Sequence, residues 1–145
     1  MAEGIHYYAS LSFEAAYRLL DALLQSAAMD GGKPVAIAVV DDRGDLVAFG
    51  RLDGTPVRSV TIAINKAYTA CRARQSTADL AATLARAQRG VEVYTDPRFT
   101  TFPGGVPLTS PDGTVLGAVG ISGRAPEDDE ALGSRWRDII TLDTD

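Results

Sequence analysis

Cysteine, histidine and tryptophan each occur once in the 145 residues, and each scarcity excludes something. With Cys71 alone, no disulfide can close within the chain, which fits a reducing compartment; the cytoplasm is the expected location. With His6 alone, no histidine-based metal cluster can be built from one chain. Basic residues are outnumbered, 14 against 19 acidic, and the net charge of −5 argues against nucleic acid or an anionic membrane surface as partners. No stretch approaches the roughly 18 consecutive apolar residues of a membrane-spanning helix. Residues 1–10 have neither the basic nor the apolar region of a secretory signal, carry no periodic pattern, and are expected to be mobile.

What is present suits one folded unit spanning 1–145. Apolar residues make up 46% and charged residues 23%, ordinary proportions for a globular protein of this size. Ser12 is placed to cap a helix whose buried face reads Phe13, Ala16, Tyr17, Leu20, Leu23, Leu24 and Ala27, stopped by Asp30-Gly31-Gly32-Lys33-Pro34. Val35 to Val40 is a short apolar run rich in β-branched residues, hence a central strand. Asp41 to Asp45 is a hairpin turn and Leu46 to Arg51 its partner strand. A second helix is expected over about Val57 to Arg74, with Ala63, Ala67 and Ala70 allowing close packing, and Ser76 caps a third. Short strands are expected at Phe99–Phe102, Val106–Thr109 and Val115–Gly123. A terminal helix should open at Pro126, with Glu127 to Glu130 matching its dipole. Hairpin-linked strands with helices set apart from them predict an α+β fold: one antiparallel sheet of about five strands covered by helices.

The stretch Phe99-Thr100-Thr101-Phe102-Pro103-Gly104-Gly105-Val106-Pro107-Leu108 draws attention as a shaped loop. A glycine pair between two prolines permits positive φ and leaves backbone amides open to close approach, as a plain turn or as a pocket wall. Near it in chemistry stand Arg51 and Asp53, where a strand gives way to a loop, and Lys66, in the middle of an otherwise apolar helix. Lys66, partly desolvated beside Ala67 and Tyr68, is a candidate acid–base group or anion clamp. The alternative is an ion pair that ties hairpin to helix. Arg51 offers a fork for a carboxylate and the Gly104 and Gly105 amides further donors. Tyr68 is a candidate proton donor or a core residue, and Glu130 a candidate base. Asp129 is undecided between a site and a solvated first turn. Cys71 reads as a buried, inert thiol.

Several pieces in this order resemble the GlcG/HbpS family, which includes the C-terminal domain of PduO-type corrinoid adenosyltransferases. They are Leu11-Ser12-Phe13-Glu14-Ala15-Ala16, Ala38-Val39-Val40-Asp41, Gly50-Arg51-Leu52-Asp53-Gly54, Asn65-Lys66-Ala67-Tyr68-Thr69-Ala70, Phe102 to Leu108, and Gly117 to Gly123 with Pro126 to Glu130. The resemblance implies a profilin-like fold and a homo-oligomer of dimers assembled further. Some relatives bind haem through a histidine close to the first helix, at a subunit contact. His6, the one histidine here, lies several residues earlier and is the candidate axial ligand. Three expectations follow. One is a small-molecule-binding protein, with haem or a related tetrapyrrole as a possible ligand and Arg51, Asp53, Phe99, Phe102, Gly104 and Gly105 around it. Another is a cofactor-free enzyme moving a proton on, hydrolysing or eliminating from a small carboxylate, through Lys66, Glu130 and Tyr68. The last is a stabilising partner without chemistry.

Overall fold

The computed structural model describes residues 3–143, and its frame is a four-stranded antiparallel sheet with helices on both faces. In chain order the elements are α1 (Phe13–Met29), β1 (Ala36–Asp41), β2 (Leu46–Arg51), α2 (Ser59–Ala73), α3 (Thr77–Ala87), a 3-10 turn at Val91–Tyr94, β3 (Gly105–Thr109), β4 (Val115–Ser122), α4 (Pro126–Ser134) and a closing 3-10 turn, Arg135–Asp138. The strands lie in the order β2-β1-β4-β3. The α+β reading therefore holds.

Alternation along β1 divides the core. Ile37 and Val39 point to one face, where Val106, Leu108, Val119 and Ile121 meet Leu19, Leu20 and Leu23 of α1 and Leu132 and Trp136 near the C-terminal end. Ala36, Ala38 and Val40 point to the other, against Ala63, Ala67, Ala70 and Cys71 of α2. That second face is built of small residues, so α2 rides close to the sheet. A Cβ on Gly120 would collide with the backbone of Ala63 and Ala67. The Cys71 thiol donates to the Asp41 carbonyl at 3.1 Å, and burial pushes its pKa up to about 11, so it is an inert core group.

The expected strand Phe99–Phe102 does not form, which leaves four strands rather than about five. Its backbone donors are spent elsewhere. The Asp96 side chain and carbonyl turn the chain by accepting from the amides of Arg98 and Phe99, and the Thr100 amide donates to Thr69 Oγ1 on α2 at 3.0 Å. With no amides free for a ladder, the segment is a loop pinned to α2. Residues 5–10 form no helix or strand, yet the segment is anchored where it ends: Leu11 N–H donates to Leu116 O, and Ser10 Oγ accepts from the Asp42 amide. Among the described residues no helix is long and apolar enough to cross a membrane.

Candidate functional site

Among the described residues Lys66 is the only lysine or arginine buried in the core, 2% exposed, in the middle of the α2 face that lies on β3 and β4. Its ammonium donates to the Ile121 carbonyl at 2.8 Å and to Asp129 Oδ2, itself 1% exposed, at 3.2 Å. Asp129 Oδ1 accepts from the Arg124 amide at 3.0 Å. Burial pulls the Lys66 pKa below and pushes the Asp129 pKa above its ordinary value; their mutual attraction opposes both shifts.

The glycine pair explains how a lysine fits there. At Gly104, with φ of 133°, a Cβ would stand 2.7 Å from Lys66 Nζ; at Gly105 it would meet the Lys66 carbonyl. These glycines make room for Lys66. The Gly105 amide is no open donor, because it donates to the buried Thr77 Oγ1 at 3.0 Å. The expected role of that amide in holding a ligand is thereby corrected: α3 has taken it.

Above the pair opens a cleft of about 150 Å³, lined by Arg58, Ser59, Lys66, Phe102, Ser122 and Asp129 among others. Two helices begin at its edge without a side-chain cap: α2 behind Arg58, and α4 behind Ala125 with Pro126 in its first turn. The α2 start carries partial positive charge and favours an anion, whereas at α4 Pro126 has no N–H, the Asp128 and Asp129 amides donate to the Ala125 carbonyl, and three acids already occupy the first turn. The hydroxyls of Ser59 and Ser122, residues 2% and 6% exposed, have no hydrogen-bond partner among the described residues and open onto the same space. Arg58 is exposed and forms no ion pair among the described residues. Arg124 is committed elsewhere: it grips Asp30 through both terminal nitrogens at 2.7 Å and donates to the Lys33 carbonyl. A larger hollow of about 540 Å³ lies on the other side of Arg124, beside Asp30 and Arg135. It contains no buried titratable pair, and two of its cations, Arg124 and Arg135, already have partners, so the smaller cleft is the better candidate.

The expected site residues separate into groups. Lys66 and Phe102 line the cleft, with Phe102 exposed on its rim, and Gly104 and Gly105 pack against Lys66 without lining the cleft. Tyr68, two positions beyond Lys66 on α2, faces elsewhere. Its hydroxyl donates to Asp96 at 2.5 Å and accepts from Arg72, the Arg98 guanidinium covers its ring, and Phe99 packs edge-on against it. Glu130 turns toward α3: one buried carboxylate oxygen has no partner, and burial, then the Asp79 charge, raises its pKa. Arg51 and Asp53 are exposed and do not line the cleft. Arg51 pairs with Ala36, which pairs with Ser122, so it stands two strands away, roughly 10 Å by strand spacing. His6 is exposed, its ring edge-on to Tyr8, near the β1–β2 turn. That is the far end of β1, roughly 17 Å from Ala36 by strand rise. Among the described residues no group of three or more His, Cys, Asp or Glu could hold a metal ion.

Ser59, Ser122 and Arg58 were not among the expected site residues, and Asp129 was undecided between a site and a solvated first turn. Asp129 had a signal: it stands three residues before Leu132 and four before Gly133, so whichever face of α4 buries Leu132 buries Asp129 and turns Glu130 about 100° away. The two serines had none, because only β1–β4 pairing and the seating of α2 bring them together.

Comparison with known proteins places this arrangement. A family model described as haem degrading protein, HbpS-like, matches residues 11–135. A 15.0 kDa protein encoded between dhaT and dhaS in Citrobacter freundii is 35% identical over 135 residues, covering 92% of this chain and 94% of that one. A crystal structure of a double mutant of HbpS from Streptomyces reticuli superposes with a TM-score of 0.86 at 27% identity, over 98% of this chain and 94% of that one. A crystal structure of a PduOC–haem complex superposes at 0.80 with 28% identity, over 90% and 95%.

Proposed function

The chain belongs to the HbpS-like family, and from that premise we propose that it binds a small organic anion in the cleft over Lys66. One observation carries the reading: the hydroxyls of two largely buried serines, with no hydrogen-bond partner among the described residues, open onto a cleft at the uncapped start of α2. Those donors call for an acceptor. Arg58 on the rim adds a cation that the chain does not pair. The space, about 150 Å³, suits a carboxylate of a few non-hydrogen atoms. Calorimetric titration with short carboxylates tests the site. Ser122→Ala and Arg58→Ala should each weaken binding about tenfold; equal affinity in wild type and both variants places the ligand elsewhere.

Haem is the second reading, favoured by the PduOC–haem relative. Beside Tyr8, whose ring meets that of His6 edge-on, a hollow of about 260 Å³ gathers Asp42, Arg43, Arg72 and Arg74. Three guanidiniums suit propionates, and His6 offers an axial nitrogen. Only Tyr8 supplies an apolar wall, so the residues of one chain do not fit a macrocycle there. Hemin titration decides: a Soret shift abolished by His6→Ala establishes the haem reading, and no shift removes it.

A homo-oligomer belongs to the same proposal. Phe13 and Tyr17 stack on the exposed side of α1, 62% and 56% exposed, with Ile5, Tyr7 and Tyr8 also uncovered. An aromatic face of that kind supports contact with a second copy.

A further inference from the structure

The floor of the cleft is equipped for more than holding an anion. Lys66 Nζ has two acceptors, the Ile121 carbonyl and Asp129 Oδ2, and its third position has no partner among the described residues. An anion held by Arg58, Ser59 and Ser122 lies over that nitrogen, because all of them line one space of about 150 Å³ with Lys66. The donors come in two sets. The α2 start and Arg58 suit a carboxylate, while the two hydroxyls suit one further oxygen beside it. In a space of about 150 Å³, the remaining atoms of such a ligand are carbons adjacent to that oxygen, within reach of the amine.

Building on the anion-binding reading, we propose that the protein catalyses proton transfer at the carbon next to the carbonyl of a short 2-oxo carboxylate, with Lys66 as catalytic base and Asp129 as its proton partner. The Lys66 amine, in its neutral form, takes a proton from C3. The C3–H electron pair becomes the C2–C3 double bond, and the carbonyl π pair moves onto O2. The enolate charge formed there meets the Ser59 and Ser122 hydroxyls and Arg58. Return of a proton from the ammonium to C3 restores the ketone, and delivery to O2 releases the enol; nothing else is consumed. Asp129, 3.2 Å from Nζ, accepts one ammonium proton, so the proton returned need not be the one removed. In heavy water C3 therefore acquires deuterium. Removal of charge and its return inside a buried pair is favoured because burial already draws Lys66 and Asp129 toward their neutral forms.

Proton NMR in D2O with pyruvate and 2-oxobutanoate tests this, with binding measured by calorimetry on the same samples. The wild type should exchange C3 protons at least ~100-fold faster than buffer, the usual scale of a positioned base. The rate should rise with pH as Lys66 loses its proton. Lys66→Met should abolish the acceleration. The paired Lys66→Met, Asp129→Leu variant removes both buried charges and guards against a folding defect; it should be equally inactive while melting cooperatively. Binding without exchange overturns the proton-transfer proposal and leaves the anion site standing. Absence of both overturns the two together. A borohydride-trapped adduct on Lys66 shows an imine, and overturns the base role.

Discussion

At the residue scale, the buried pair carries the largest consequence. Lys66→Met alone leaves Asp129 as an uncompensated buried carboxylate, and the expected loss is about 3–5 kcal/mol by urea unfolding. Replacing both, with Asp129→Leu, should recover most of it, since well-packed apolar residues substitute for buried ion pairs at little cost. A single-variant loss under about 1 kcal/mol contradicts the burial of the pair. Asp30 gives the opposite pH signature to a buried acid. Hydrogen bonds from Arg124, then from the Gly32 amide, hold its pKa at about 2, against an ordinary value of 3.8. Its stabilisation is therefore fully present above about pH 4 and is lost as pH falls through 2. Asp30→Asn should flatten the fall of melting temperature over that window and lower it modestly at neutral pH, where the stabilisation is in place and solvent screens it. Asp129, whose pKa burial raises, works in the other sense: its burial penalty is relieved as pH falls and the carboxyl takes up a proton.

At the element scale, the contact of β3 with α2 and α3 sets the site. Gly105→Ala presses a Cβ against the Lys66 carbonyl and Thr77, and backbone cannot yield as a side-chain tip would. We expect about 1–3 kcal/mol of destabilisation together with weaker ligand binding, because α2 must shift and Lys66 with it. Gly113→Ala is the control: φ is 89° there but no atom lies within 4 Å, so only the left-handed backbone cost of ~1–2 kcal/mol should appear, with binding intact. Thr77→Val strips the buried Gly105 amide of its acceptor and should cost ~1–3 kcal/mol, read as a lower urea midpoint at unchanged slope. An unshifted midpoint means that water or another group satisfies that amide.

At the scale of the whole molecule, the two ends of the sheet divide the possible functions. Lys66, Ser122 and the helix starts occupy one end, while His6, Tyr8 and the three arginines occupy the other. A haem at His6 and a carboxylate at Lys66 therefore make separate, separable sites, and His6→Ala should leave carboxylate binding unchanged. The aromatic face of α1 predicts assembly: light scattering should give a multiple of the 15.3 kDa chain mass. Phe13→Glu with Tyr17→Glu should reduce it, and a monomeric wild type contradicts the proposal.

Much of this was legible in the chain itself. The β1–β2 hairpin, the capped α1 and α3, the close-packing alanines of α2 and the family were readable because periodicity, caps and turn residues act over a few positions. Lys66 was readable as an oddity, a charge in an apolar helix. The loop at Phe102 to Gly105 was also readable, though the role first suggested for its amides was not the one found. Tertiary structure alone decided that Gly104 and Gly105 serve Lys66 by yielding space, that Asp129 and not Glu130 is its partner, and that Tyr68 with Phe99 belongs to another cluster. It also parted Arg51 and His6 from the cleft and brought in Ser59 and Ser122. The physical reason is range: a cap or a turn is settled by neighbours in sequence, whereas a buried charge finds its counter-charge 63 residues away only through strand register and the depth at which α2 sits on the sheet.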